Sequence, residues 1–427
     1  MKKKMTALII TALLAVSLTA CNSGNSSTAN TTAAQAETAT NSVKQSGGSN
    51  SSNSESIVTT ANTNSNGAVD TTDLFTERDL TQTADLSGAK TETLSDGKNI
   101  EIKSEGVYVL SGSAKNVTVT VDADDKAKVQ LVLDGATITN ESAPCIYVKN
   151  ADKVFVTTAK DSANSLTVSG TFTADGDTNT DAVIFSKDDL VLNGLGTLDI
   201  SSTQNGVTGK DDLKITGGTL NITSAADAVE ANESVAVADG KVTINSQKDG
   251  VHVENSDDDS TGWFYISGGT IDVTAADDGI HATTIAQMDG GSITTNSAEG
   301  VEATYVQIND GTLNITASDD GINATTKSSS YSAKAEFNGG NITINMGQGD
   351  TDGIDSNGDL AITGGTFNIT AQSPFDYDGT ATKSGGTLIV NGEETDTITN
   401  QMMGGGGMGG GMRGGMGGEM PNGGGFR

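Results

Sequence analysis

The sequence predicts an all-β protein, a single-stranded right-handed parallel β-helix whose coils contain about 22 residues. The first observation is a set of turn glycines spaced 20 to 29 residues apart, most often 22. These glycines are Gly196, Gly218, Gly240, Gly269, Gly291, Gly311, Gly340, Gly365 and Gly386. The second is that short segments after them alternate apolar and polar residues, as in TLNIT at 219–223. The third is their content of Thr, Val and Ile, which favours strands over helical repeats.

The chain begins with features of an export signal. Three lysines at positions 2–4 precede an apolar run, residues 5–20, which is too short to span a membrane. The tetrapeptide LTAC at 18–21 resembles a bacterial lipobox, so residues 1–20 are predicted to be a lipoprotein signal peptide and Cys21 to be lipidated. An ordinary signal followed by an accidental cysteine is the alternative. We therefore expect an extracytoplasmic protein that faces outward and touches the cell membrane only through its lipid.

Residues 21–70 are predicted to form a disordered linker, because Ser, Thr, Asn, Ala, Gly and Gln bury too little apolar surface to fold. The chain carries a formal charge of −31, which becomes −34 when the three lysines of residues 1–20 are removed. This charge excludes nucleic acid as a partner. It also opposes an acidic polysaccharide unless divalent cations lie between the two anionic surfaces. A monomer is expected.

The β-helix is predicted to occupy residues 71–400, with an irregular cap and the first coils in 71–170. The stretch from VQLVLDGATIT at 129 through APCIYVKNADKV at 143 resembles bacterial carbohydrate-binding domain-containing lipoproteins. These have a polysaccharide-lyase-like parallel β-helix and are described as binding cellulose and pectin. The resemblance covers roughly residues 70–395, with departures at Cys145 and in the acidic turn at 159–165. It implies polysaccharide binding and bound Ca²⁺.

One repeat position carries an acidic column. It contains Asp181, Asn205, Asp227, Asp249, Asp278, Glu299, Asp320 and Asp352. Turn chemistry explains such a column equally well, because Asp before Gly bonds its own backbone. However, like charges about 4.8 Å apart repel by roughly 1 kcal/mol even in water, and Asn would form the same turn without repulsion. Clustered carboxylates suit Ca²⁺, which takes six to eight oxygen ligands.

The predicted Ca²⁺ ligands combine this column with neighbouring carboxylates. They are Asp227, Glu230, Asp249, Asp277, Asp278, Glu299, Glu302, Asp319, Asp320, Asp350, Asp352 and Asp355. His252 and His281 are expected to occupy different repeat positions and to be isolated surface imidazoles, because two histidines without cysteine make a poor zinc site.

Aromatic residues predict a sugar-binding strip. Alternation places Phe264 and Ile266 in the core and turns Trp263 and Tyr265 outward, with Tyr305 in the column of Trp263 two coils away. Two coils span roughly 9 to 10 Å, close to the disaccharide repeat of an extended glycan. Packing beneath an insertion near residues 257–261, or contact with a protein partner, is the alternative.

These features favour non-catalytic binding of a plant-type or acidic polysaccharide, such as cellulose or pectin, at the cell surface. A Ca²⁺-dependent pectate-type lyase is second, because its base would have to be Lys187, Lys210 or Lys248, and aspartates beside Lys187 and Lys210 favour protonated lysine. A structural or protein-adhesive surface rod is third. Residues 401–427 are rich in Gly and Met and are predicted to be a disordered tail, with Cu(I) binding as the alternative.

Overall fold

The computed structural model describes residues 68–349 and 351–401, which form stacked coils of β-strands. The predicted signal peptide, Cys21, the linker up to residue 67, Asp350 and the tail from residue 402 lie outside the described residues. None of the helices in the described part is long and apolar enough to cross a membrane.

Each regular coil contributes one strand to each of three parallel β-sheets, which we call sheets 1, 2 and 3 in their order after the turn glycine. Sheet 1 contains the alternating strands recognised in the sequence. Its strands are Ala163–Val168, Thr197–Ser202, Thr219–Ser224, Lys241–Ser246, Thr270–Thr274, Ser292–Ser297, Thr312–Ala317, Asn341–Met346, Thr366–Thr370 and Thr387–Val390, preceded by the second parts of Gly106–Lys115 and Lys128–Asn140. The strand Glu393–Thr395 ends sheet 1 by pairing antiparallel with Thr387–Val390.

Sheet 2 follows the acidic column of the repeat. Its strands are Ile100–Ile102, Val119–Asp122, Ile146–Asn150, Ala182–Ser186, Asn205–Gly209, Val229–Ala231, Val251–Val253, Ile322–Ala324, Asp352–Ser356 and Ser373–Tyr377, together with the first parts of Ile280–Met288 and Val301–Ile308.

Sheet 3 precedes the turn glycines. Its strands are Lys90–Thr93, Lys153–Thr158, Asp189–Gly194, Asp212–Ile215, Ser234–Val237, Trp263–Ile266, Lys334–Phe337, Asp359–Ile362 and Ala381–Lys383, together with the first parts of Gly106–Lys115 and Lys128–Asn140 and the second parts of Ile280–Met288 and Val301–Ile308.

The three sheets enclose one apolar core. In sheet 1, Leu198 pairs with Leu220 and Leu220 pairs with Val242, so the inward residues of successive coils stack on one another. All three are buried, whereas Thr223, on the opposite face of its strand, is exposed. Parallel pairing and inward apolar columns confirm an all-β, solenoid-like fold.

Residues 68–82, which we call the N-terminal strap, lie across the outer face of sheet 3. The Ala68 N–H donates to Gln307 Oε1 at 2.8 Å, and at the other end the Gly194 N–H donates to Gln82 Oε1 at 3.0 Å. The strap therefore crosses several coils in the direction opposite to their stacking order. Its position along the side of sheet 3 differs from the expected irregular cap.

A short helix, Glu77–Leu80, anchors the strap. Thr76 Oγ1 accepts the Asp79 N–H at 3.2 Å, and Asp79 Oδ2 accepts the Thr76 N–H at 3.0 Å, which completes a capping box. The Asp79 side chain is fully buried and lies 3.4 Å from Lys153 Nζ and 3.5 Å from Lys214 Nζ. The strap is thus attached to sheet 3 by a buried charge cluster as well as by backbone bonds.

Cys145 is a core residue at the start of sheet 2. It is fully buried, and burial raises the pKa of its thiol to about 12. A buried neutral thiol reacts poorly because the thiolate is the nucleophile. We expect Ellman's reagent to leave Cys145 unmodified in the native protein and to modify it in denaturant. Peptide mapping would check this, and equal rates in the two states would contradict it.

Candidate functional site

The acidic column of the repeat forms a ladder at the start of sheet 2. Six of its members precede a glycine or alanine whose N–H donates to the backbone of the next coil, as when the Gly250 N–H donates to the Asp278 carbonyl at 2.8 Å. A Cβ atom on Gly250 would lie 2.5 Å from the Gly279 carbonyl oxygen, so this close approach requires glycine. The Asp-Gly pairs therefore allow successive coils to stack closely.

The carboxylates of this first ladder also have a structural role. Asp227 Oδ1 accepts the Asp249 N–H at 3.0 Å, and Asp249 Oδ1 accepts the Asp278 N–H at 2.9 Å. Asp320 and Asp352 repeat the contact at 3.0 Å. Asn205 does the same for Asp227 at 3.1 Å, which shows that an amide can fill this role. These bonds run between coils and not within a turn. They account for one oxygen of Asp227, Asp249 and Asp320 but do not require negative charge.

A second ladder lies three residues further along each strand. The register aligns Thr208, Glu230, His252, His281, Glu302, Asn323, Asp355 and Asp376. Asn323 and Asp376 were absent from the sequence prediction. A constant offset from the acidic column could have identified them, but the residue type changes from coil to coil.

At the N-terminal end of the two ladders, lysines neutralise the carboxylates. Lys210 Nζ lies 3.0 Å from Glu230 Oε1, and Lys248 Nζ lies 3.4 Å from Asp227 Oδ2. Asp227 raises the pKa of Lys248. Lys248 therefore stays protonated, which makes it a poor general base, and the carboxylates Asp227 and Glu230 are less available to a metal ion.

The middle of the ladders contains both histidines, and the expectation that they are isolated is wrong. His252 pairs in register with His281, and their rings stack with centroids 4.7 Å apart and planes within 10°. Both residues follow the glycine of their turn by two positions. Their side chains are mostly buried, with 21% and 12% exposed.

Carboxylates surround this pair. His252 Nδ1 lies 2.5 Å from Asp249 Oδ2, while His281 Nδ1 lies 3.0 Å from Asp278 Oδ2 and 2.8 Å from Glu302 Oε2. Burial alone would lower the pKa of both imidazoles, but the neighbouring carboxylates raise both values. Three predicted Ca²⁺ ligands, Asp249, Asp278 and Glu302, are therefore partnered by histidine.

The C-terminal end of the ladders differs because carboxylates are surrounded by other carboxylates. Burial, followed by Glu302 and Asp278, raises the pKa of Glu299 to about 8. Burial raises the pKa of Asp355 to about 7, together with four acidic neighbours. These neighbours are Asp320, Asp376, Asp352 and Asp378. Among the described residues, Glu299, Asp355 and Asp376 form no ion pair with a cationic side chain.

Two buried side-chain oxygens beside Asp355 are also available as metal ligands. In the register of the second ladder Asn323 precedes Asp355 and Asp376 follows it. Asn323 Oδ1 and Asp376 Oδ1 are buried and accept no hydrogen bond from the described residues. Hard oxygen atoms that accept no hydrogen bond and contact no cation are the kind of ligand that Ca²⁺ binds. We call Glu299, Asn323, Asp355 and Asp376, with the ladder residues Asp320 and Asp352, the carboxylate segment.

The remaining predicted Ca²⁺ ligands lie at the edge of this surface. Asp277 and Asp319 are exposed, and Asp277 places a carboxylate oxygen within 4.8 Å of oxygens of Asp249 and Asp278. Asp350 lies outside the described residues.

An open groove of about 490 Å³ runs beside the acidic ladder, between sheets 1 and 2. It crosses four coils and is lined by small and polar side chains, among them Thr274, Asn296, Thr316 and Asn345. Its lining residues at 296–298 directly precede Glu299. The groove therefore places hydroxyl and amide groups next to the carboxylates.

The predicted aromatic strip is largely covered. Phe264 and Ile266 lie in the core and Trp263 and Tyr265 point away from it, as alternation predicts. However, the N-terminal strap packs on them, so Tyr265 is fully buried and Trp263 is half-buried. The Tyr265 hydroxyl donates to Asp289 Oδ2 at 3.1 Å.

Tyr305 is also engaged within the protein. It lies in the column of Trp263 because Phe264 pairs with Ala286 and Ile285 pairs with Tyr305. Its hydroxyl donates to Glu336 Oε2 at 2.6 Å, and burial together with this carboxylate raises its pKa. Open stacking of sugars on Trp263, Tyr265 and Tyr305 is not supported, because the strap occupies that face.

Comparisons with known proteins identify the family of this chain. A family model described as carbohydrate-binding domain-containing protein matches residues 96–351 and 297–403. A carbohydrate-binding domain-containing protein of Acetivibrio thermocellus is 41% identical over 199 residues, which are 46% of this chain and 70% of that protein. A solved structure of a polysaccharide lyase-like protein from C. thermocellum, a gadolinium derivative, has 29% identity and a TM-score of 0.47, over 53% of this chain and 96% of that one. Since the two family matches together span most of the sequence, this chain belongs to the carbohydrate-binding domain-containing protein family.

Proposed function

We propose that this protein binds an acidic polysaccharide of the pectin type without cleaving it, through Ca²⁺ held at the carboxylate segment. The family supports polysaccharide as the partner. The observation that carries the proposal is the environment of Asp355, where four neighbouring carboxylates and burial all raise the pKa. A bound divalent cation would relieve this repulsion, and Glu299, Asp320, Asp352 and Asp355 would supply hard oxygen ligands.

Cation bridging fits the charge of the chain. With a formal charge of −31, the protein repels a polyuronate unless cations intervene. Ca²⁺ bound partly by protein can accept uronate carboxylates in its remaining coordination positions. The adjacent groove offers Asn and Thr side chains to sugar hydroxyls. Cellulose is less favoured because the aromatic residues suited to stacking on neutral sugars lie under the strap.

Lyase activity is the second candidate function. It would need a base beside the metal, yet Lys248 is paired with Asp227 and protonated, and Lys210 is paired with Glu230. Lys187 Nζ donates to Thr178 Oγ1 at 2.9 Å. The acidic side chains of the carboxylate segment would bind the cation at neutral pH. As ligands of the cation, they would not act as the general base of a lyase.

Asp355→Asn tests the proposal. The substitution keeps the shape of the side chain but removes one charged ligand, so we expect Ca²⁺ affinity to fall by at least about tenfold. Calorimetric titration of the full chain measures this. Asp272→Asn on sheet 1 is the matched control and should leave the affinity unchanged.

Retention of polygalacturonate in affinity electrophoresis tests the partner. We expect retention with Ca²⁺, loss of retention in EGTA and weak retention by Asp355→Asn. Release of unsaturated products that absorb in the ultraviolet would favour the lyase. Tight Ca²⁺ binding without retention of any glycan would overturn polysaccharide binding and favour a structural or protein-adhesive rod.

A further inference from the structure

The stacked histidines lie within a group of ligands that is chemically distinct from the carboxylate segment. One ligand atom each from Asp249, His252 and His281 lies within 4.8 Å of the other two. A second group with the same spacing contains Asp278, His281 and Glu302. Two imidazoles and several carboxylates on adjacent strands form a nitrogen-containing donor set, which the rest of the described ladders lacks.

We propose that His252 and His281, with Asp249, form a binding site for a first-row transition-metal ion, with Zn²⁺ the best fit. Imidazole nitrogen and carboxylate oxygen are the ligands that Zn²⁺ takes, whereas Ca²⁺ prefers oxygen alone. The site goes beyond polysaccharide binding and does not depend on it, since none of its argument uses a glycan.

The carboxylates around His281 are placed to orient it as a ligand. Asp278 Oδ2 and Glu302 Oε2 lie 3.0 Å and 2.8 Å from its Nδ1, so Nε2, which has no hydrogen-bond partner among the described residues, can serve as the ligand atom. A carboxylate that holds one ring nitrogen fixes the imidazole tautomer and makes the other nitrogen a better ligand. Glu302 is itself held by Lys327 Nζ at 2.9 Å, so the orienting group is in turn fixed.

The charge of the cluster also suits a divalent ion. Asp249, Asp278 and Glu302 are mostly buried, so their negative charge requires compensation. Two protonated imidazoles supply two positive charges. One Zn²⁺ bound to two neutral imidazoles supplies the same charge. The metal ion can therefore replace two protons without changing the net charge of the cluster.

A bound ion requires a small rearrangement of the ligands. Zn²⁺ bonds of about 2.0 to 2.2 Å place ligand atoms roughly 3 to 3.5 Å from one another. Asp249 Oδ2 and His252 Nδ1, which lie 2.5 Å apart here, would therefore move apart to admit the ion. The two rings are already parallel and their centroids are 4.7 Å apart, so rotation of the rings moves the nitrogens toward a shared ion. His252, with 21% of its side chain exposed, can rotate when its Nε2 releases Glu254 Oε2, which lies 3.1 Å away.

The chain itself supplies substitutions that suit the fold. Thr208 and Asn323 occupy the same ladder position in other coils, so His252→Thr and His281→Asn place side chains that the second ladder already contains. Asp272→Asn serves as the matched control, because it removes a charged group from sheet 1, outside both ladders and the histidine cluster.

The experiment titrates the full chain, prepared without a histidine tag, with Zn²⁺ in a calorimeter while millimolar Ca²⁺ occupies oxygen sites. We expect a single zinc ion to bind per chain, with affinity reduced about tenfold or more in each histidine variant and unchanged in Asp272→Asn. The absence of Zn²⁺ binding in the unsubstituted protein, or histidine variants that bind Zn²⁺ as tightly as the unsubstituted protein, would overturn the proposal.

A spectroscopic measurement keeps the test decisive if the variants fail to fold. Co²⁺ takes the place of Zn²⁺ and absorbs visible light with an intensity that reports its coordination. We expect the unsubstituted protein to give the intense bands of four-coordinate Co²⁺ and Zn²⁺ to displace them. A spectrum identical to that of Co²⁺ in water would contradict a site formed by His252 and His281.

Discussion

Replacing Asp79 with alanine is expected to lower the free energy of unfolding by about 3 to 5 kcal/mol and to detach the N-terminal strap. The Asp79 carboxylate is fully buried and contacts Lys153 and Lys214, whose side chains are only 11% and 8% exposed. With alanine, among the described residues, Lys153 keeps only Asp189, at 3.4 Å, and Lys214 keeps only the Leu74 carbonyl, at 2.7 Å. The loss is costly because the two charges either stay desolvated beneath the strap or regain water only when the strap and its packing are lost.

Urea denaturation followed by tryptophan fluorescence measures this effect. Trp263 is the single tryptophan of the chain and packs against the strap, so detachment should shift its emission to longer wavelength. Asp79→Asn should also destabilise, because it keeps the size of the side chain but removes the charge. Asp70→Ala, an exposed position on the strap, is the control. A change in stability below about 1 kcal/mol for Asp79→Ala would show that the buried pairs contribute little.

The sequence predicted the faces of sheet 3 but not what covers them. Alternation correctly placed Phe264 inside and Tyr265 outside. However, the Val69 N–H donates to Gln287 Oε1 across 218 residues of sequence. The strap has one turn of helix and no repeat, so no periodic pattern marks it in the sequence. Periodicity identifies a strand because each coil repeats the signal, and a segment that occurs once offers no such signal.

The two side-chain ladders also could be predicted from the sequence only in part. Asp before Gly repeats in residue type, so the first ladder was visible in the sequence. The second ladder repeats only in position, since His252, Asn323 and Asp355 share a column but not a chemistry. Ion pairs between coils then decide which acids are neutralised, as when Lys327 reaches Glu302 from an insertion between two coils. Sequence spacing cannot give such contacts because insertions vary the length of each coil.

The pH dependence of stability should change when Ca²⁺ is removed. The pKa of Asp355 is raised to about 7 and that of Glu299 to about 8, from their ordinary values of 3.8 and 4.5. In the unfolded chain both acids lose their protons near pH 4 to 5, whereas the metal-free folded protein retains them to pH 7 or 8. Between these limits the folded state binds more protons than the unfolded state, so stability falls as pH rises.

We therefore expect the Tm of the protein in EGTA to fall by on the order of a few °C between pH 5.5 and pH 8, measured by calorimetry. His281 contributes a decline in the same direction above pH 6.5, because its pKa is also raised, to about 10. Asp355→Asn isolates the carboxylate contribution. Its side chain cannot ionise, so this variant should have a flatter pH profile and should be more stable than the unsubstituted protein at pH 8 in EGTA.

Ca²⁺ should remove the part of the decline that arises from Asp355 and Glu299, because the cation compensates their charge in place of protons. The unsubstituted protein should then be the more stable of the two at pH 8 with Ca²⁺, which reverses the order found in EGTA. A stability order that is the same with and without Ca²⁺ would show that the cation does not bind at Asp355. Because only ligation at this position predicts the reversal, the comparison separates specific binding from general screening of the acidic rod.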